Sequence, residues 1–580
     1  MNTPEHLGLR LPPAGATSPS LPAPPALASA RVPGAPHGGP EITPAGVPVS
    51  PAGLAAFEAD PLTAWVTAVA RALHAPTSPT APVLTEAPAA PAAPTAATPS
   101  NPFAVVPAWD ALLAAVAAPT PPAPTLVPLV DAERRPDAPP NFAPATAPTP
   151  APAETLAPAH AHDPDIGVSL PAAPGPFDAV ALRREFPILE ERVHGKRLVW
   201  LDNAATTQKP RAVIDRLTRS YEHENSNIHR AAHTLAARAT DAYEAAREST
   251  RRFIGAGSAS EIVFVRGATE GINLVAQAWG GRNVGAGDEI VVTWLEHHAN
   301  IVPWQRLARE KGATLKVAPV DDRGQIDLEA YARLLGPRTR IVALTQVSNA
   351  LGTITPAKAM IDLAHLHGAT VLLDGAQAVS HLRVDVRALD CDFFVFSGHK
   401  VYGPTGIGAV YGKSAILETM PPWQAGGNMI QDVTFDRTVY QPPPMRFEAG
   451  TGNIADAVGL GAALDWLSRL GLEAVAAHEH DLLHYATERV RDIPGLKIVG
   501  TAQEKAGVLS FVIERHDTHA VGKFLDGEGI AVRGGHHCAQ PILRRFGHES
   551  TVRASFAAYN GRDDVDALVC ALERLTGRRG

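Results

Sequence analysis

The sequence predicts an α/β fold with a largely parallel sheet, preceded by a long disordered tail. Two observations carry this. First, composition changes sharply near residue 176: of the 54 prolines, 40 lie at or before Pro176, and that stretch has no Lys, Tyr or Cys. Second, beyond it apolar runs alternate with segments of helical period, as in a sheet whose strands are joined by helices.

Residues 1–176 contain stretches such as "APAAPAAPTAATPS" and "APATAPTPAPAETLAPA". Proline fixes φ and removes the backbone donor, so such tracts stay extended and solvated and bury too little apolar area to offset chain entropy. Disorder is expected across most of them. Two islands break the pattern, near residues 60–74 and 107–118. The first sets Leu62, Trp65, Val66, Val69 and Leu73 at helical spacing, and the second Trp109, Leu112, Leu113 and Val116. Asp60 followed by Pro61 has the form of an N-cap and first helical residue. Helices this short are marginal alone, so one reading is apolar residue left in a linker. The other is a repeated docking peptide that folds into a partner's groove and gains avidity from two copies.

From Phe177 the chain reads as globular. "FDAVALRREFPIL" is an opening helix and "RLVWLDNAATTQKP" a strand and turn. "EIVFV", "DEIVVTW", "TLKVAPV", "RIVALTQVS", "ATVLLDGAQA" and "CDFFVFSGHK" are buried strands. In such sheets the site lies in the loops at the carboxyl ends of the strands, and the polar motifs fall there. A net charge of -8 without a Lys/Arg run argues against nucleic acid. Three widely spaced cysteines make neither a disulfide framework nor a zinc pattern, so no metal is expected. No run is apolar enough to span a membrane, and the N-terminus lacks the core of a signal peptide. A soluble, cytoplasmic protein is expected.

Three strand ends suggest one cofactor. Gly267, Ala268 and Thr269 in "FVRGATEGINLVAQ" would sit at a helix N-terminus, a natural phosphate seat. Asp374 closes the apolar run "VLLD". Ser397, His399 and Lys400 follow "FFVF" and precede a Gly-rich loop. A lysine so placed can have a lowered pKa and serve as a Schiff-base amine. A phosphate seat, a strand-end Asp and this lysine are what pyridoxal 5'-phosphate requires. His297, after "EIVVTWL", could stack on the ring.

These stretches resemble group II (Suf-type) cysteine desulfurases of the class V aminotransferase family. "LDNAATTQKP", "NIHRAAHTLA", "VRGATEGINLVA", "EHHANIVPW", "VSNALGT", "LDGAQA", "SGHKVYGPTGIG", "FEAGTGN", "RGGHHCAQP" and "VRASFAAYN" occur in the family's order. The resemblance implies the fold of type I pyridoxal-phosphate enzymes. A large cofactor-binding domain would span 196–440, a small α/β domain 177–195 and 441–580, and the tail 1–176. It implies that Lys400 carries the Schiff base and that Asp374 and Gln377 hold the ring nitrogen and phenolic oxygen. His297 would stack and shuttle protons, and Thr269, Ser397 and His399 would bind phosphate. Thr451 would reach the phosphate of the other subunit of a homodimer; Gly452 stands there where the family usually has proline. Arg553 would clamp the substrate carboxylate with help from Asn349, and Arg533, His229 and Arg230 would line the entrance.

Cys538 in "RGGHHCAQP" allows three readings. A metal site fails on spacing, because adjacent His536, His537 and Cys538 do not converge on one ion. A buried thiol suits Cys391 and also Cys570, on the apolar face of the last helix. Cys538, among polar and glycine residues, is expected on a short structured lobe. There the neighbouring histidines would help lower its pKa, and it would take sulfur from L-cysteine as a persulfide. A docked sulfur-acceptor protein or a small reductant would discharge it. Selenocysteine lyase is the nearest alternative. The long Ala/Pro-rich extension resembles that of cargo desulfurases of encapsulin shells, which implies loading through residues 1–176; a solubilising spacer is the alternative.

Overall fold

A computed structural model describes residues 177–229 and 233–577. The tail with its two islands, and Arg230, lie outside the described residues. The first helix, α1 (Ala179–Arg183), is capped by Asp178, whose carboxylate accepts from the N–H groups of Val180 and Ala181. A short strand β1 (Val199–Trp200) follows, then α2 (Arg211–His223) and α3 (Thr234–Phe253).

Seven strands then build the main sheet: β2 (Ile262–Val265), β3 (Glu289–Thr293), β4 (Thr314–Ala318), β5 (Thr339–Thr345), β6 (Thr370–Asp374), β7 (Phe393–Ser397) and β8 (Gly408–Gly412). Their spatial order is β2-β8-β7-β6-β5-β3-β4. Pairing is parallel from β4 through to β7, and β8 runs antiparallel to both β7 and β2. Every residue of β2, β3, β7 and β8 is buried. Coverage of both faces explains why these runs are continuously apolar rather than alternating. Edge strand β4 is partly exposed and carries Lys316, which pairs with Glu289 at 2.7 Å.

The helix α4 (Ala268–Leu274) starts at Gly267, whose φ of +152° lies where side chains are disfavoured and where a Cβ would meet the Ser397 hydroxyl at 3.0 Å. Later helices are α5 (Val302–Lys311), α6 (Ile454–Leu470), α7 (Leu472–Arg491) and α8 (Arg562–Leu575). A second, antiparallel sheet comprises β9 (Leu496–Val499), β10 (Val508–Ile513), β12 (Arg533–Gly535) and β13 (Thr551–Ser555), in the order β9-β10-β13-β12. Between β10 and β12, β11 (Ile530–Ala531) pairs in parallel with β1. Leu482, Ala486, Leu568 and Leu572 of α7 and α8 close one face of this sheet in a separate apolar cluster with Leu509 and Phe511.

The structure corrects one expectation here. Cys570 is exposed. The buried stripe of α8 runs through Val565, Leu568, Val569 and Leu572, and one residue past Val569 the helix has turned about 100°, which carries Cys570 off the stripe. Cys391 is buried, as expected. Among the described residues no helix is long and apolar enough to cross a membrane.

Candidate active site

Strands β5, β6 and β7 end side by side at Thr345, Asp374 and Ser397, and Thr345 pairs with Asp374 in register. Their carboxyl ends open into a cavity of about 210 Å³. It is lined by Lys400, Asp374, Gln377, Ser397, His399, Thr269 and His297 from the main sheet's loops. Asn349, from the loop after β5, lines it too, and Cys538, Arg533 and Arg553 line it from the facing side. Residues that the sequence placed in one site thus meet across more than 280 positions of chain, between Thr269 and Arg553. Of the rest, Thr451, expected to reach the phosphate of the other subunit, is exposed and does not line this protomer's cavity. His229 sits elsewhere, with Nε2 3.0 Å from Glu244. Arg230 lies outside the described residues.

Gly375 follows Asp374 because a Cβ there would stand 1.9 Å from the Phe394 ring. On either side of it Asp374 and Gln377 both line the cavity. Asp374 is buried, and its carboxylate accepts from the Ala376 N–H at 2.9 Å. Burial pushes its pKa up, opposed by that bond and by the charge of Lys400. Gln377 donates Nε2 to the Ala204 carbonyl at 2.6 Å. The Ser397 hydroxyl accepts from the Ala268 N–H at 2.9 Å, tying the end of β7 to the start of α4.

Lys400 ends a 3-10 turn after β7. Desolvation lowers its pKa to about 8, although Asp374 pulls it up. Among the described residues its amine makes no hydrogen bond, so it is available as a base and nucleophile. Burial, with the charge of Lys400 second, lowers the His297 pKa to about 3. Its Nδ1 accepts from the Ala299 N–H at 3.1 Å, which leaves the single proton of this neutral imidazole on Nε2. His399 is likewise held neutral, at about 4, by burial first.

These donors fit pyridoxal 5'-phosphate. A buried carboxylate raised in pKa gains from a cationic ring N–H, the unpaired amine of Lys400 suits an aldehyde carbon, and the start of α4 offers N–H groups to an anion.

Cys538 lies on a tight turn between β12 and the helix Gln540–Arg545. His537 and Cys538 both have left-handed backbone, with φ of 52° and 54°. Asn349 Nδ2 donates to the His537 carbonyl at 2.6 Å, and the Cys538 N–H donates to His536 Nδ1 at 3.0 Å. This is the short structured lobe that the glycines suggested. The role expected of the histidines is corrected at His537. Burial, then the charges of Arg553 and Arg533, lowers its pKa to about 2, so it is neutral and lends the thiol no positive charge. Lys400, Arg533 and Arg553 line the same cavity as Cys538. Among the described residues no cluster of His, Cys, Asp and Glu could hold a metal ion.

Two residues were not singled out from sequence. Asp202 pairs with both Arg533 and Arg553 at 2.9 and 3.1 Å. Glu296, fully buried, accepts from Thr293, Asn300 and the Thr345 N–H. Asp202 and Glu296 stand inside quoted motifs, but nothing local tells their partners.

A family profile described as aminotransferase class-V matches residues 199–568. The chain belongs to the class-V aminotransferase family. A curated protein named cysteine desulfurase from Synechococcus elongatus is 66% identical over 399 residues, 69% of this chain and 64% of that protein. Another so named, from Serratia proteamaculans, is 52% identical over 400 residues, 69% of this chain and 98% of that protein. The crystal structure of the cysteine desulfurase CsdA (S-sulfonic acid) from Escherichia coli superposes with a TM-score of 0.65 at 40% identity, covering 69% of this chain and 98% of that one. The chain spans 58–65% of the length of the three curated relatives that are 62–66% identical to it. As a class-V member it has the family's mostly parallel central sheet, with the strand-end loops around Lys400 facing the turn that carries Cys538.

Proposed function

We propose that this protein is a pyridoxal-phosphate-dependent cysteine desulfurase that converts L-cysteine to L-alanine and leaves a persulfide on Cys538. The observation that carries the reading is that Cys538 and Lys400 line one cavity. The cofactor, when bound, supplies the electron sink that makes the substrate's Cα–H acidic and its Cβ–S bond labile. Asp374 and Gln377 would orient it, Thr269, Ser397 and His399 would hold its phosphate, and His297 would stack on its ring.

Arg553, with Asn349 and Arg533 nearby, holds the substrate carboxylate. With the cofactor bound, the Lys400 amine would be the base that moves the α-proton. The Cys538 sulfur bonds to the substrate sulfur as the Cβ–S bond breaks. The bonding pair stays with Cβ, which takes a proton and leaves as alanine. The persulfide then passes to an acceptor protein or a small reductant.

Cys538→Ala is expected to keep the cofactor's absorbance and lose persulfide formation; full sulfur transfer by that variant would overturn the assignment. Lys400→Ala is expected to lose the lysine-linked absorbance band, and an unchanged band would sink its role. Comparing turnover on L-cysteine and L-selenocysteine separates this reading from a selenocysteine lyase.

A homodimer accords with an exposed Thr451 away from the cavity and with the hairpin Ile430–Tyr440, whose Phe435 is fully exposed. We read 196–440 as the large domain, and 177–195 with 441–580 as the small one. We further propose that residues 1–176 load the enzyme into an encapsulin shell, on the composition and length of that segment. Co-expression with a shell protein, with and without 1–176, tests this; equal packaging of both forms would defeat it.

A further inference from the structure

Arg533 of β12 and Arg553 of β13 face each other directly across an antiparallel pair. Like charges directly opposite are destabilising, and Arg553 is 2% exposed. One carboxylate resolves the conflict. Asp202 Oδ2 accepts from Arg533 Nε and Nη2 at 3.1 and 2.9 Å, and its Oδ1 accepts from Arg553 Nη2 at 3.1 Å. We propose that Asp202 is the positioning residue for recognition of the substrate carboxylate, acting through Arg553 and Arg533. This rests on the desulfurase reading.

Asp202 is itself fixed by backbone and does not line the cavity. The Ser555 N–H donates to the Leu201 carbonyl at 2.7 Å, and Asn203 Nδ2 donates to the Ser555 carbonyl at 2.6 Å. The carboxylate therefore stands at a set distance from β13, which carries Arg553 two residues before Ser555.

The arrangement does two things. It fixes the fork: Arg553 Nη1 donates to the Asn349 carbonyl at 2.9 Å and Nη2 to Asp202. Each of these nitrogens has two N–H groups, so one on each remains for a carboxylate to take in bidentate fashion. It also sets the charge. Two guanidinium groups against one carboxylate leave one positive charge, the match for an amino acid with a single carboxylate at this end. Without Asp202, Arg533, whose side chain is 47% exposed, has no anchor and is repelled by its neighbour.

The test uses the full-length holoenzyme and two substrates, L-cysteine and L-cysteinamide, which lacks the carboxylate. In Asp202→Asn the KM for L-cysteine is expected to rise about tenfold, as for loss of one charged hydrogen-bond partner, with kcat within about threefold. The preference for L-cysteine over the amide falls by the same factor, a readout that general loosening of the fold would not move. Asp202→Glu, which keeps the charge, is expected to retain that preference. An unchanged or lowered KM in Asp202→Asn, an equal loss on both substrates, or lost preference in Asp202→Glu overturns the proposal. If Asp202→Asn does not accumulate folded, Asp202→Glu decides on the same ratio. Should wild type fail to turn over L-cysteine, the desulfurase reading falls. L-alanine against L-alaninamide, titrated by the cofactor's absorbance, then reads the Asp202 role in the same variants.

Discussion

The backbone N–H of His298 donates to the carbonyl of Cys538 at 2.7 Å. The loop that presents His297 from β3 and the turn that presents the thiol are therefore hydrogen-bonded to one another. The turn needs such support, since a left-handed residue other than glycine costs about 1–2 kcal/mol and His537 and Cys538 are two in succession. His537 adds a bond from Nε2 to Thr551 Oγ1 at 2.8 Å, inside the core. Thr551→Val deletes that partner and leaves a buried imidazole nitrogen unpaired, at a cost of about 1–3 kcal/mol. Urea denaturation is expected to show the loss. Single-turnover persulfide formation is expected to slow while the cofactor absorbance stays unchanged.

The Lys400 amine is the group whose protonation limits its chemistry. Burial lowers its pKa to about 8, and the Asp374 charge pulls the other way. The neutral fraction, the nucleophile, therefore grows as pH rises through that value. Recovery of absorbance after pyridoxal 5'-phosphate is added to apoprotein is expected to accelerate across roughly pH 7 to 9. Asp374→Asn removes a charge that favours the ammonium, so its midpoint is expected to move to lower pH. A flat profile, or a shift upward, contradicts this account.

Thiol chemistry separates the three cysteines. Cys391 is buried and its thiol is pushed well up by burial first. Cys538 is partly exposed and Cys570 exposed. A bulky aromatic disulfide reagent is expected to titrate Cys538 and Cys570 in the folded protein, and Cys391 only after denaturation. Cys538→Ala then leaves Cys570 as the single reactive thiol. Reaction at Cys391 in the native protein would contradict its packing.

Lys400, Asp374 and His297 were legible because each ends or closely follows a buried apolar strand, and polar residues at the carboxyl ends of such strands face the crevice. Cys538 was legible by its glycine-rich, polar surroundings. Asp202 was not, since its partner Arg533 lies 331 residues away and they meet only through tertiary pairing, of β1 with β11 and of Asp202 with Ser555 of β13. The charge of His537 was misjudged for the same kind of reason. Histidines beside a cysteine suggest cations, but this ring is turned into the core against Thr551. Cys570 failed on helix phase, where one residue decides the face.

Glu296 gives the last prediction. It precedes His297, is fully buried, and accepts from Thr293 Oγ1 at 2.6 Å, Asn300 Nδ2 at 2.6 Å and the Thr345 N–H at 3.0 Å. Burial pushes its carboxyl from 4.5 up to about 8 against those bonds, with the Asp374 charge a smaller contribution. Between these values the folded protein holds a proton that the unfolded chain has released. The stability this group contributes is thus fully present below about pH 4.5 and lost as pH rises through 8, by at most about 5 kcal/mol. Glu296→Gln cannot titrate. The stability of wild type relative to this variant, from urea denaturation at roughly pH 5 and pH 8.5, is expected to fall by a few kcal/mol between the two. A difference that stays constant across that range would mean that Glu296 is ionised in the folded protein, and that its three donors outweigh its burial.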